Sequence, residues 1–241
     1  MTKLVQTVYV LYCYLITGIV LLFFIGFYEN FFLIKTVSLP LADKIPTYAS
    51  FIDFGLLILF GLQHSIMSRK WFKKWLTQFI PASIERATYL LFSSLFLALL
   101  IWQWQPFGQV IWDVRGAVWS IFLYGVSFSG LLVITTSVIS IDLFEFIGWR
   151  QLQQEKLNTK EFVTPLFYKI VRHPIYFGFL LSFWFTPLMT WSHLLFALGM
   201  TAYILIGAAL EERDLVEQFG VRYLEYRQYV SMLIPFSNFR F

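Results

Sequence analysis

Residues 174–210 read PIYFGFLLSFWFTPLMTWSHLLFALGMTAYILIGAAL and contain no Asp, Glu, Lys or Arg. A helix needs about 20 apolar residues to cross a hydrocarbon core of about 30 Å, so this stretch is too long for one spanning helix. Thr186-Pro187 and Thr190-Trp191-Ser192 interrupt it with residues that favour turns. The stretch is therefore predicted to form a membrane hairpin whose first arm is short.

Further apolar blocks precede the hairpin, at Thr7–Phe27, Ala49–Ile66, Ala87–Trp104 and Ala117–Ile141. Each is predicted to be helical, because a segment inside lipid must satisfy its own backbone hydrogen bonds. The predicted fold class is all-α, a polytopic transmembrane bundle of five or six membrane helices, with six favoured. We expect one integral-membrane domain over residues 1–241. Residues 1–141 would form a four-helix part, and residues 142–241 a loop, the hairpin and a tail.

The composition excludes most other classes of protein. Hydrophobic residues make up 59% of the chain and charged residues 13%, whereas soluble domains carry about 25% charged residues. A chain with so few charges can neither cover a soluble globule nor remain disordered. Cys13 is the single cysteine, so an intrachain disulfide and a cysteine metal cluster are both excluded, and no metal is predicted.

Basic residues predict the orientation in the membrane. Fifteen of the 18 Lys and Arg residues fall at the N-terminus, in 67–86, in 142–173 or after 210. The other side has only Lys35, Lys44 and Arg115. Because Lys and Arg collect on the cytoplasmic side, we expect a bacterial inner-membrane protein with both termini cytoplasmic. The net charge of +4 lies beside apolar blocks, which predicts contact with lipid head groups rather than nucleic acid.

Two cytoplasmic segments mix aromatic and basic residues at helical spacing. Met67–Phe79 combines Trp71 and Trp75 with lysines, and Val221–Met232 combines tyrosines with arginines. Such segments are typical of amphipathic helices that lie at the membrane surface.

Charged groups flank the hairpin at both ends. Arg172 and His173 precede Pro174, which suits the first turn of a helix, so that helix N-terminus could bind a carboxylate. Glu211 and Glu212 follow the second arm, and adjacent helix positions diverge by about 100°. One carboxylate can then face the bundle and the other the surface. The two ends meet, so they could bind a zwitterion. The structural alternative is a Pro-capped helix with a snorkelling arginine and a solvated helix end.

The pattern Arg-His-Pro-x-Tyr-x-Gly at 172–178, followed by Glu-Glu-x-x-Leu at 211–215, resembles a known site. It is the S-adenosylmethionine site of membrane methyltransferases of the isoprenylcysteine carboxyl methyltransferase and phospholipid N-methyltransferase type. Landmarks outside this module resemble the methanethiol S-methyltransferase branch: QHSIMSR at 63–69, IERATY at 84–89 and WQW at 102–104. One departure is Glu145-Phe146-Ile147, where the branch has a tighter Phe-Gly-Leu-Arg.

The resemblance implies in-line transfer of a methyl group from S-adenosylmethionine to methanethiol, which gives dimethyl sulfide, in a membrane-embedded pocket. It implies cofactor contacts from Arg172, His173, Tyr176, Gly178, Glu211 and Glu212. A base must deprotonate the thiol, and His64 is the leading candidate because histidine titrates near neutral pH. Asp142 could orient His64 or replace it, and Arg150 could stabilise the thiolate. For each of these three, the alternative is an interfacial polar residue.

Other functions stay open. The acceptor could instead be a prenylcysteine carboxylate or a lipid amine. The chain could also be a haem-binding membrane isomerase or denitrification accessory protein that uses His64 or His173 as an axial ligand. A sterol-reductase-like enzyme would need a nicotinamide cofactor, and the sequence has no Gly-x-Gly-x-x-Gly. The expected partners are a small thiol and membrane lipids, with no obligate protein partner.

Overall fold

A computed structural model describes residues 2–39, 47–153 and 162–235. The predictions that concern Lys44, Lys156 and Lys160 lie outside these ranges. The helices are α1 (Lys3–Tyr28), α2 (Ala49–Ser68), α3 (Lys70–Leu76), α4 (Glu85–Gln103), α5 (Val118–Ile147), α6 (Trp149–Gln153), α7 (Pro174–Trp184), α8 (Trp191–Phe219) and α9 (Val221–Tyr229). The short strands β1 (Val110–Asp113) and β2 (Leu188–Thr190) pair with each other, and 3₁₀ turns occur at Ala82–Ile84 and Leu166–Lys169.

The predicted helical membrane bundle is confirmed. Within the described ranges, five helical segments are long and apolar enough to cross a membrane, and Pro174–Trp184 is a shorter apolar helix. The hairpin breaks where the sequence predicts, because α7 ends at Trp184 and α8 begins at Trp191. The interfacial segments also form helices, α3 and α9.

The chain divides into two compact units. The first unit comprises Met1–Trp112, Phe144–Leu157 and Leu188–Gly199. In it α4 packs against α1 and α2, around a buried cluster of Val10, Cys13, Ile84, Ala87 and Leu152.

Buried polar residues in the first unit have structural partners. Asp53 is fully buried, and its Oδ1 accepts a hydrogen bond of 2.8 Å from the backbone N–H of Gln105, just beyond α4. His193 is also fully buried, and its Nδ1 lies 3.5 Å from Ser38 Oγ. Since buried polar groups are normally hydrogen-bonded, these contacts favour structural roles for Asp53 and His193.

The second unit comprises Asp113–Leu143, Asn158–Pro187 and Met200–Phe241. Its helices α5 and α7 cross in close contact: a Cβ added at Gly178 would lie 2.5 Å from the carbonyl oxygen of Gly130. Next to this crossing, Ser127 and Ser182 each donate a hydrogen bond to the other's carbonyl oxygen, at 3.2 and 3.0 Å. Small residues that allow close backbone approach, with hydrogen bonds between helices, are typical of packing inside membranes.

The crossing predicts a stability change at Gly178. In Gly178→Ala the new methyl group would collide with backbone atoms, which cannot move aside as a flexible side chain does. We expect a loss of about 1–3 kcal/mol in the free energy of unfolding, the usual range for overpacking. Thermal unfolding in detergent measures it.

The matched control is Gly125→Ala on α5, because nothing lies within 4 Å of a Cβ at that position. Alanine is a better helix former than glycine by about 1 kcal/mol, so this variant should be at least as stable as the parent. Equal unfolding temperatures for the two variants would contradict the packing role of Gly178.

Candidate functional site

The N-terminus of α7 is held in place by the C-terminal tail. Pro174 opens the helix as predicted, and His173 is the N-cap residue. The backbone N–H of Arg172 donates to Ser231 O at 2.9 Å, and that of His173 donates to Met232 O at 3.1 Å. The tail therefore fixes the backbone from which both side chains project.

Glu212 is the centre of a buried ionic cluster. Its Oε1 accepts hydrogen bonds from Arg172 Nε at 2.7 Å and Tyr223 OH at 2.8 Å, and it lies 3.0 Å from His173 Nε2. Its Oε2 pairs with Arg227 Nε at 2.9 Å. We call these five residues the Glu212 cluster. Two guanidinium groups compensate the charge of a carboxylate whose side chain is 7% exposed.

The Arg172 guanidinium points into the protein. Besides Glu212, it donates through Nη1 to Val230 O at 2.6 Å and Arg227 O at 3.3 Å. These bonds join α7, α8 and the tail, so Arg172 has a structural role in the described chain. Its predicted contact with a cofactor carboxylate stays a prediction.

The other carboxylate, Glu211, lies at the edge of the Glu212 cluster. Its Oε2 lies 3.5 Å from His173 Nδ1, and its side chain is 46% exposed. Tyr176 stacks on the His173 ring at 5.5 Å and hydrogen-bonds Glu211. The expectation that one carboxylate faces inwards and the other outwards is confirmed.

His173 faces a carboxylate with each ring nitrogen. Burial by itself lowers the pKa of an imidazole, but hydrogen bonds and charge from Glu211 and Glu212 outweigh burial. The pKa of His173 therefore lies above its ordinary value of 6.5. The two carboxylates therefore favour the positively charged form of the ring. Burial, followed by Glu212, raises the pKa of Tyr223, so this phenol stays protonated and donates.

Gly178 lies one turn beyond Pro174, and the close approach predicted there is the approach of α5 at Gly130. The structure thus explains this glycine by helix packing. Its predicted role in shaping the wall of the cofactor site stays a prediction.

In the first unit, His64 on α2 forms a second polar cluster with α4. His64 Nε2 lies 2.7 Å from Tyr89 OH, and Nδ1 lies 3.1 Å from Ser93 Oγ. Phe60 stacks on the imidazole, with ring centroids 5.6 Å apart. We call His64, Tyr89 and Ser93 the His64 cluster.

Asp142 and Arg150 lie on either side of the turn between α5 and α6. Asp142 has φ of 170° and ψ of 98°, which kinks α5 where the apolar block was predicted to end. Gly148, with φ of +87°, turns the chain into α6, which carries Arg150. The catalytic roles predicted for Asp142 and Arg150 stay predictions.

Sequence reasoning assigned no role to Tyr89, Ser93, Tyr223 or Arg227. Tyr89 lies within the motif IERATY at 84–89. Tyr223 and Arg227 lie within the amphipathic tail segment Val221–Met232. A signal for the His64 cluster existed, because Tyr89 and Ser93 are four residues apart and share one face of a helix. Which helix that face contacts could not be read from the spacing.

Comparisons with known proteins point in one direction. The phospholipid methyltransferase family profile matches residues 124–222. A protein named methanethiol S-methyltransferase 1 from Bradyrhizobium diazoefficiens is 44% identical over 98% of this chain and 84% of its own length. Methanethiol S-methyltransferases from Crocosphaera subtropica (43%, covering 95% of this chain and 91% of the relative) and Mycobacterium tuberculosis (40%, covering 99% of each) are similarly close. No solved structure matches.

Proposed function

Because the chain belongs to the family of methanethiol S-methyltransferases, we propose that it methylates methanethiol to form dimethyl sulfide. It is an integral-membrane methyltransferase, as the helical spans and the relatives together show. The observation that carries the finer proposal is that several relatives named methanethiol S-methyltransferase match nearly the whole chain at 40–44% identity.

The proposed methyl donor is S-adenosylmethionine, which supplies a methyl group on a positively charged sulfur. Its amino-acid end is a zwitterion, so a site for it needs one anionic and one cationic group. Glu211 and His173 offer such a pair, since the carboxylate is half-exposed and the neighbouring imidazole favours its charged form. The chemistry of these two side chains therefore fits the donor.

The contact of His173 Nδ1 with Glu211, at 3.5 Å, is a long and therefore weak hydrogen bond, which a ligand carboxylate could replace. His173 is therefore able to offer Nδ1–H to a ligand carboxylate, while Glu211 takes an ammonium or ribose hydroxyl group. Glu212 and Arg172 then position these side chains. Glu212 holds the imidazole through Nε2, and Arg172 holds Glu212. Tyr176, stacked on His173, limits the ring's orientation.

Methanethiol must lose a proton before its sulfur attacks, and thiol pKa values lie near 8.5 or above. We assign this proton to the His64 cluster, which holds an imidazole among apolar and hydroxyl groups. Asp142 and Arg150 are the further candidates for orienting the base and stabilising the thiolate.

The enzyme is further proposed to lie in the cytoplasmic membrane with both termini on the cytoplasmic side. The support is the distribution of Lys and Arg along the chain. The Glu212 cluster would then face the compartment that contains S-adenosylmethionine.

A second candidate acceptor is a phospholipid amine, because the phospholipid methyltransferase profile covers residues 124–222, which include most of the Glu212 cluster. That profile covers less of the chain than the methanethiol S-methyltransferases do. Methanethiol is therefore the better-supported acceptor.

An acceptor screen tests the proposal. The purified protein, in detergent or lipid nanodiscs, receives S-adenosylmethionine with methanethiol, a prenylated cysteine or phosphatidylethanolamine. We expect dimethyl sulfide in the headspace by gas chromatography, with stoichiometric S-adenosylhomocysteine, from methanethiol alone.

Reactions without donor or without protein are the controls. Turnover of a lipid or prenylcysteine acceptor with no dimethyl sulfide would overturn the choice of acceptor. A visible haem spectrum in protein that does not bind S-adenosylmethionine would instead support the haem-binding alternative.

A further inference from the structure

We propose that Tyr89 is a catalytic residue that accepts the thiol proton and passes its own proton to His64, while Ser93 fixes the tautomer of the neutral His64 ring. The inference rests on the proposed thiol methylation and deepens it. The geometry that carries it is the placement of a hydroxyl group against each nitrogen of the His64 ring.

The hydrogen bonds define the starting state. A neutral imidazole has one donor and one acceptor nitrogen. The Tyr89 phenol is a stronger acid than the Ser93 hydroxyl, so Tyr89 donates to Nε2 over 2.7 Å, and Nδ1–H donates to Ser93 Oγ over 3.1 Å. Tyr89 and Ser93 lie one turn apart on α4, so one rigid face sets both contacts.

This arrangement has a consequence for catalysis. The accepting lone pair of His64 points at Tyr89, so a thiol cannot reach Nε2 unless the 2.7 Å hydrogen bond breaks. The phenolic oxygen both donates and accepts. A thiol that donates its S–H to Tyr89 Oη can therefore pass its proton towards the base while the hydrogen bond between Tyr89 and His64 stays in place.

In the proposed proton transfer, each bond that breaks is matched by a bond that forms. The S–H bond of the thiol breaks as its proton bonds to Tyr89 Oη, and the original Tyr89 O–H proton bonds to His64 Nε2. Tyr89 is neutral before and after, the thiol becomes a thiolate, and His64 becomes an imidazolium that still donates Nδ1–H to Ser93. After methyl transfer, His64 returns its proton to water.

Arg86 is the charged group beside this cluster. Its guanidinium carbon lies 5.8 Å from the centroid of the Tyr89 ring. Nε of Arg86 donates to Phe146 O at 2.9 Å, and a side chain on Gly148 would collide with Arg86. A fixed positive charge here stabilises the negative charge that develops on the thiolate.

The test is Tyr89→Phe, with Tyr9→Phe as the matched control. Tyr9 OH also bonds a side chain of α4, Thr88 Oγ1 at 3.0 Å, but it lies outside the His64 cluster. We expect Tyr89→Phe to lower kcat for methanethiol by roughly 10²-fold, the lower end of the effect of general acid–base catalysis. The rising limb of its pH–rate profile should move towards the pKa of the thiol. Tyr9→Phe should keep both quantities.

A second methyl acceptor distinguishes a proton-relay role of Tyr89 from a merely structural role. Methaneselenol is more acidic than methanethiol and ionises without help, so the Tyr89→Phe defect should shrink to a few-fold with it. An equal loss with both acceptors, or an unchanged kcat and pH profile with methanethiol, would overturn the relay. If the parent protein forms no dimethyl sulfide, the proposed function fails first, and the relay fails with it.

Discussion

Glu212→Gln is expected to remove S-adenosylmethionine binding and to lower the free energy of unfolding by about 3–5 kcal/mol, the usual cost of breaking a buried ion pair. Glu212 accepts from Arg172, Tyr223 and His173 and pairs with Arg227. A glutamine replaces one acceptor oxygen with an NH₂ donor and removes the counter-charge of the buried Arg172 guanidinium and of the partly exposed Arg227 guanidinium. His173 then loses the contact that orients its ring.

Isothermal titration with S-adenosylmethionine and thermal unfolding measure the two effects. Glu211→Gln is the matched control, because the same chemical change falls on a half-exposed side chain. It should weaken donor binding but cost about 0.5 kcal/mol or less, as surface substitutions do. Equal destabilisation by the two variants would contradict the central position of Glu212. Unchanged affinity in both would remove the proposed donor site.

His64→Ala is expected to lower kcat for methanethiol by about 10²–10⁴-fold, the range for loss of a general base. Without the imidazole, only thiol that is already ionised in solution reacts. The rate of the variant should therefore rise about tenfold per pH unit up to the thiol pKa, which is at least about 8.5. The parent enzyme should reach its plateau at lower pH. Tyr89→Phe should show a smaller loss, because water can occupy the space of the missing hydroxyl.

Initial rates from pH 6 to 10 measure this profile. His193→Gln is the control, since His193 is a buried histidine of the same unit with a structural contact to Ser38. We expect that variant to keep the parent profile, and unfolding temperatures will show whether either substitution disturbs folding. Full activity of His64→Ala with an unshifted profile would exclude His64 as the base.

Local sequence patterns were sufficient to predict the membrane helices and the hairpin. The uncharged block at 174–210 and the break at Thr186-Pro187 predict α7 and α8, because helix length in lipid and the chemistry of proline are local properties. The divergence of the Glu211 and Glu212 side chains also follows from helix geometry alone, whereas only the structure shows that Glu212 is the buried one. The predicted end of the apolar block at Ile141 coincides with the bend of α5 at Asp142.

The sequence by itself therefore determined a polytopic helical membrane protein with charged residues at both ends of a hairpin, since burial in lipid constrains each segment independently. Only the tertiary structure decided which side chains contact each other. Arg172 turns inwards to Glu212 and the tail, Gly178 packs on Gly130, and His64 meets Tyr89 and Ser93. These contacts join residues that lie 25 to 58 positions apart in the chain. A distant pair becomes close only through the way whole helices pack, which no local pattern encodes.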